Sequence, residues 1–449
     1  MSNPTFGVMM NEHDEKSVPT RAPLDSAQLH LPEGMSFSCH SSGRCCEDFW
    51  EIPLDEESLA RLKSLPWSSI SPEFLDPDHY TEPGTGPKGG VALRRMEGRC
   101  VFLDAARQCL IHHHFGAAAK PQTCHDFPFR YICTPRGVFV GLSMACPSVR
   151  ANRGRPLAEQ RQELADSYRS ARSVAAVADP VELSPGLPIG FDTYEQIESC
   201  LNDLVTIETL SLDDRLIAGY VFLQILDRAV RELGEPPDRS GENVMRLVQV
   251  LRDDRYRRPI AIARKARGSL RLHRALIGLL ITYRSAFDER QRGRLGRSAY
   301  LLWQYMRHMG GLGTLAMPPL EDRLSFSRLR AVRADWNDPF SVHMVERFCV
   351  HSLFRKDAIV STPLLKGYAF LLVFVALIRW YAAAYAASRA ASEIGRAEVE
   401  EAVGAVEKYY CFHTGFMRLF DQYPVLSGTV ERLVAKPFFA PSMLRPKGP

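Results

Sequence analysis

The sequence predicts a mainly α-helical protein in two parts: a small, irregular, cysteine-rich N-terminal domain with one short β-hairpin, and a larger all-helical domain. Three observations carry this expectation. Eight of the eleven cysteines fall between residues 39 and 146. Within that stretch, FRYIC and GVFVGLS are β-rich and alternate around TPRG, which reads as a hairpin. Beyond about residue 150, apolar residues recur at helical spacing instead. A chain of 449 residues is also long for a single core.

Residues 1–34 are polar and proline-marked (NEHDEKSVPTRAP) and are expected to form a disordered leader. They contain no basic segment followed by an apolar run, so a cytoplasmic location is expected. The cysteine region spans 35–150 and includes the glycine- and proline-rich loop TEPGTGPKGG. Its short pieces bury little apolar surface, so metal ligation would help to hold it together.

The helical domain is expected over 151–449. Leu157 to Val177 reads as its first helix, ended by Asp179-Pro180, and 180–190 as a linker or packed loop. Ser211 caps SLDDRLIAGYVFLQILDRAVREL, with Asp214 at the capping-box position. Leu216, Ile217, Tyr220, Leu223 and Val230 fall near one face, and Gly234 with Pro236-Pro237 ends the helix. Further helices fit 241–252, 269–286, 298–309, 339–355, 363–389, 396–414 and 427–435. The apolar run from Gly367 to Ile378 is twelve residues long before Arg379 interrupts it, so a buried bundle helix is expected there and no membrane span.

The net charge of +4 is small for this length and implies no nucleic acid partner by itself. Residues 251–297 hold 14 basic and 4 acidic residues, a local net of +10. Arginines there alternate with core residues, as on a solvated amphipathic helix. The functional reading of the run is a surface for an acidic partner or nucleic acid.

The cysteines follow C-x5-CC, then, after 53 residues, C-x8-C-x14-C-x8-C-x12-C. A reducing compartment disfavours disulfides. Eight inert buried thiols in one cluster lack a packing reason, and catalytic thiol chemistry needs an activating base for which Cys124-His125 alone is too little. Thiolates are soft anionic ligands, so zinc or an iron–sulfur cluster is the expected occupant. Adjacent side chains usually diverge, so Cys45 and Cys46 are expected to serve different sites or to ligate singly. His40, His112, His113, His114 and His125 lie close in sequence and could contribute to a mixed sphere. Asp126 is a candidate outer carboxylate or a loop cap.

The segments FSCHSSGRCC, GRCVFLDAARQCLIH, KPQTCHDFPF and MACP resemble the cysteine-cluster family with a CxxCxxCC opening, described as zinc- or iron-chelating. Within it the sequence is most similar to the flagellin lysine-N-methylase branch, strongly over 37–147 and loosely beyond, through MVERFCVHSLFRKD and the apolar helix after it. The resemblance implies Cys39, Cys45, Cys46, Cys100, Cys109, Cys124 and Cys146 as metal ligands. Ser42 stands where the family has its second cysteine, and Cys133 has no firm counterpart. It further implies a metal-dependent methylase that uses S-adenosylmethionine on protein lysine, with a flagellin-like protein substrate. The alternative is a non-catalytic metal- or redox-sensing or structural protein whose helical part docks a partner.

The residues themselves supply no independent sign of the methyl donor. GTGPKGG (84–90) and GGLGTL (310–315) are the glycine-rich candidates and read as loops; no P-loop, HExxH, GxSxG or C-x3-C-x2-C triplet occurs. Because Cys146-Pro147 stands at the expected junction, a metal there would tie the two domains together.

Overall fold

The computed structural model describes residues 24–47, 52–84, 90–96, 98–172, 174–233, 237–288, 294–315, 323–411 and 424–447. Most of residues 1–34, the expected disordered leader, lie outside these, as do 85–89 of the glycine-rich loop. The chain divides into two compact units, Met1–Ala176 and Val177–Pro449. The division therefore falls at 176/177 rather than 150. Cys146 lies well inside the first unit, which removes the expected tie across a junction.

The reason for the shift is strand pairing. Leu157 to Val177 is not one helix. It holds a short 3-10 turn, Leu157–Gln160, the helix Arg161–Tyr168 and the strand Val174–Ala176. That strand pairs in parallel with Phe129–Thr134, Val174 opposite Tyr131. The predicted hairpin, Phe129–Thr134 against Gly137–Leu142, is thus the centre of a four-stranded sheet. Leu29–His30, within the expected leader, adds the other edge in parallel to Gly137–Leu142. Gly137, at φ 125°, permits this approach: a Cβ there would stand 2.4 Å from the Gln28 carbonyl oxygen. Leu29, Tyr131, Val138, Val140, Leu164 and Val174 form the core under the sheet.

A second core in the same unit is aromatic. Trp67 stacks on Phe102 with centroids 5.2 Å apart and meets Phe74 and Phe115 edge-on. Its indole N–H donates to the Leu62 carbonyl at 2.8 Å, so the polar atom is satisfied while the ring is buried. Ile52, Leu62, Tyr80, Leu93 and Ile111 complete this core. The cysteine region thus buries more apolar surface than its broken sequence pattern suggests.

The second unit is mainly helical but not all-helical. Residues 180–190 form the hairpin Val181–Ser184 with Leu187–Ile189, and two further two-stranded pairs occur. The expected helices are Leu212–Leu233, Pro237–Asp253, Leu270–Asp288, Arg294–Gly310, Pro339–Phe354, Leu364–Ser388, Arg396–Tyr409 and Pro424–Val434. Ser211 Oγ takes the Asp214 N–H at 3.3 Å and donates to its carboxylate at 2.8 Å, which gives the expected cap. Among the described residues, the helices Phe191–Val205, Arg257–Lys265, Phe326–Ala331 and Phe439–Leu444 were not anticipated. Leu364–Ser388 is long and apolar enough to cross a membrane, yet 83% of its most apolar window is buried by surrounding chain.

A charged network lies inside this unit. Arg355 forks onto Glu407, one bond being 3.1 Å, and onto Asp357 at 2.9 Å from Nε. All three are essentially inaccessible to water. Lys356, held at φ 58°, donates to both Glu198 oxygens at 2.6 and 2.8 Å, and the Tyr194 hydroxyl also donates to Glu198. The network joins the helices 191–205, 339–354 and 396–409 through paired rather than isolated buried charges.

Candidate metal centre

The double-cysteine loop is shaped by glycine and by two backbone bonds. Gly43, at φ 69°, turns the chain where a Cβ would stand 2.5 Å from the Arg107 carbonyl oxygen. The Cys46 N–H then returns to the Gly43 carbonyl at 2.9 Å, and the Cys100 N–H donates to the Cys46 carbonyl at 2.8 Å. Glu47 pairs with Arg107, which fastens this loop to the one that carries Cys109. Further upstream, Ser36–Phe37 pairs with Arg155–Pro156. Ser38 donates to the Arg153 carbonyl at 3.2 Å, which fixes the approach of exposed Cys39.

The remaining cysteines sit at the starts of short elements. Cys109 is the N-cap of the helix Leu110–Phe115, where the backbone N–H groups of His112 and Ile111 favour its thiolate. Cys146 is the N-cap of Pro147–Ala151, where the N–H groups of Val149 and Ser148 act on its thiol in the same sense. Cys124 lies within Gln122–Asp126, and Cys100 within the short strand Arg99–Cys100. Cys46, Cys109 and Cys124 pack as partly buried members against the Trp67 core, of which buried Cys100 is part.

The thiols meet. Cys45 and Cys46 Sγ are 3.8 Å apart, and Cys46 is hydrogen-bonded to Cys109 as well. The tight turn at Gly43 overrides the usual divergence of neighbours, which corrects the expectation that the adjacent pair would face apart. Cys100 interacts electrostatically with Cys45 and Cys109, and Cys124 with Cys100, Cys109 and Cys45. Cys146 reaches Cys45 in the same sense. Lys120 interacts with Cys124, Cys45, Cys109 and Cys39. Cys133 belongs to neither group: it packs against the sheet core and hydrogen-bonds the Tyr168 hydroxyl. None of the eleven cysteines, all described, is in a disulfide.

These contacts set the acidities. The hydrogen bond from Cys46 brings Cys109 down to about 6 against the effect of burial, with the two backbone N–H groups and Lys120 helping. The same donor brings Cys45 down to about 7, again against burial and with help from Lys120. Cys46 is pushed far up by Cys109 and Cys45 and then by burial. Burial pushes Cys100 up to about 12 and also raises Cys124 and Cys146. For Lys120, burial acts downward, yet the surrounding thiols hold the ammonium above its usual range. Cys45 and Cys109 are thus the more acidic thiols of the cluster, with Cys46 against them and the Lys120 cation favouring their charged forms.

Seven soft sulfur donors fit zinc or an iron–sulfur cluster by chemistry. A tetrahedral thiolate site with bonds of ~2.3 Å has sulfur–sulfur edges of ~3.8 Å, which is the separation found for Cys45 and Cys46. Among the described residues, no three His, Cys, Asp or Glu side chains are arranged to enclose an ion as they stand. The donors converge without closing a coordination polyhedron.

Beside Cys109 lies a polar cavity of about 270 Å³, lined also by Ser41, Gln108, His112 and His113. The aromatic core backs the thiols, and this cavity is where a ligand can approach them. His112 is kept neutral to lower pH by burial and by Lys120, as is His125. The buried Asp126 carboxylate accepts from Gln122 Nε2 and from the Arg172 N–H, both at 2.7 Å, so it acts as a loop anchor. The cavity lining next to Cys109 was not readable from sequence, since Ser41 and Gln108 lie in separate loops. Of the two glycine-rich candidates for the methyl donor, 310–315 ends the helix Arg294–Gly310 and enters the pair Thr314–Leu315 with Leu324–Ser325. It is not a strand-to-helix turn. No protein-family model, no curated protein and no solved structure matches this chain.

Proposed function

We propose that the protein binds a soft metal centre, zinc or an iron–sulfur cluster, through Cys39, Cys45, Cys46, Cys100, Cys109, Cys124 and Cys146. The single observation that supports this is the contact of the Cys45, Cys46 and Cys109 thiols, with Cys100, Cys124 and Cys146 in electrostatic reach. Zinc would supply a Lewis acid, and an iron–sulfur cluster an electron carrier or a Lewis-acidic iron. The chain's own part is to hold the sulfurs, to balance their charge with Lys120, and to keep one side dry with Trp67 and Phe102.

Anaerobic purification followed by counts of iron, sulfide and zinc per chain, with a visible spectrum, tests this. The expected result is stoichiometric metal. A well-folded, metal-free protein overturns it.

The cavity beside Cys109 supports a second step, because a purely structural site needs no ligand access. Together with the resemblance it supports a protein-lysine N-methylase that moves a methyl group from S-adenosylmethionine to a lysine amine of a flagellin-like substrate. Incubation of the metal-loaded protein with labelled donor and flagellin should transfer label to protein. Failure to bind the donor would favour the sensing or structural alternative.

A further inference from the structure

The second unit carries a surface that the thiol chemistry does not use. On the helix Arg294–Gly310, Leu302, Trp303 and Met306 are 62%, 43% and 60% exposed, and Leu312 just beyond is 67% exposed. Isolated exposed apolar residues are ordinary, but four large ones along one helix end are not.

Three arginines from three helices surround the same turn. Arg307 lies 4.0 Å over the Trp303 ring and donates to the Thr314 carbonyl at 2.9 Å. Arg330, from Phe326–Ala331, donates to the Gly311 carbonyl. Arg274, from Leu270–Asp288, comes to the same spot: a Cβ at Gly311 would stand 3.3 Å from Arg330 Nη1 and 3.7 Å from Arg274 Nη2. At Gly313 a Cβ would stand 2.5 Å from Arg307 Nη2. The glycines, at φ 62° and 77°, turn the chain directly beside these guanidinium groups.

Arg330 satisfies the Gly311 carbonyl just past the helix C-terminus, where positive charge is favoured, and Arg307 that of Thr314 in the strand beyond. That contact uses one edge of each fork. Among the described residues, no carboxylate pairs with Arg274, Arg307 or Arg330. Like charges gathered together are costly, and among the described residues no carboxylate offsets these three, so the grouping suits an anionic counterpart. Planar forks fixed by carbonyl contacts suit carboxylates. Trp, Met and Arg are the residue types enriched at protein interfaces, and exposed leucines have no use against a phosphate backbone.

We infer that residues 302–313 together with Arg274 and Arg330 form a docking surface for an acidic, amphipathic segment of a partner protein. Its carboxylates would meet the three guanidinium groups and its apolar face would cover Leu302, Trp303, Met306 and Leu312. This inference does not rest on the metal reading, and its test needs no metal.

The probe is a labelled synthetic helix-forming peptide with Glu on one face and Leu on the other, titrated into the full chain and followed by fluorescence anisotropy. Binding that weakens at least tenfold in Arg274→Glu, and again in the exposed-site variant Leu312→Glu, supports the surface. So does loss of binding as salt rises. Leu312→Glu guards against a folding artefact, since its side chain is largely in solvent. Equal binding by wild type and both variants, or no binding at low salt, overturns the inference. So would tighter arginine-dependent binding to phosphatidylserine vesicles or duplex DNA than to the peptide.

Discussion

Cys133 Sγ and the Tyr168 hydroxyl share a hydrogen bond of 3.3 Å, which ties Cys133 to the sheet core and away from the other seven cysteines of its region. The two kinds of cysteine should respond differently to the same change. Serine at Cys133 keeps a hydroxyl partner for Tyr168 and should leave metal content unchanged. Serine at Cys109, which contacts Cys46, should lower metal per chain at least several-fold. Elemental analysis of both variants checks this, and equal loss in both would remove the distinction.

Gly137→Ala should destabilise the first unit. The residue sits at φ 125° and its Cβ would meet the Gln28 carbonyl at 2.4 Å. Strain and lost strand pairing together should cost about 1–3 kcal/mol. Urea unfolding of the variant, followed by near-ultraviolet signals of Trp67, measures it. A midpoint equal to wild type would show that the edge strand is dispensable.

Glu407→Gln should destabilise the second unit by about 3–5 kcal/mol, because it leaves Arg355 with a buried charge that Asp357 alone must balance. The triple variant Arg355→Met, Asp357→Leu and Glu407→Leu should recover much of the loss, since it removes all three buried charges, whereas a variant that kept Asp357 would leave its carboxylate without Arg355. Thermal and denaturant midpoints of the two variants separate these outcomes.

Stability should also fall in mild acid. Burial lowers His308 to about 4, with His273 and Arg274 adding to the effect, and burial lowers His273 to about 4 as well. Between roughly 6.5 and 4 the unfolded chain binds protons that the folded chain excludes, so stability is full above 6.5 and declines as pH drops toward 4. For His308, only 4% exposed, the loss approaches about 3 kcal/mol. His308→Phe should flatten the unfolding midpoint against pH over that window. An unchanged slope would exclude His308 as its source.

The sequence made some of this legible and hid the rest for identifiable reasons. Ser211 with Asp214 announced a helix because a cap is local chemistry. The hairpin across 134–137 was legible for the same reason. Leu29–His30 and Val174–Ala176 were not, being two- and three-residue strands defined only by distant partners. Phe191–Val205 was missed although Tyr194, Ile197, Leu201 and Leu204 carry helical spacing; Gly190 gives it no side-chain cap and proline-rich sequence precedes it. In the cluster, the cysteine positions were readable, but the contact of Cys45 with Cys46 depended on the turn at Gly43. The arginine grouping at 310–313 was invisible as such, because Arg274, Arg307 and Arg330 come from three separate helices.

The backbone bond from Cys100 to Cys46 joins residues with 53 others between them in sequence. Closing a loop of that length has an entropic cost that normally falls on whatever cross-links its ends. Here the chain itself closes the loop, with the Trp67 core beneath it. On the metal reading proposed above, an incoming ion would therefore not have to gather a random coil, as it must in a zinc finger. If the proposed metal is bound, chelation should loosen the sulfur side of the unit while the aromatic side stays folded, which would make its loading and unloading reversible within a standing protein.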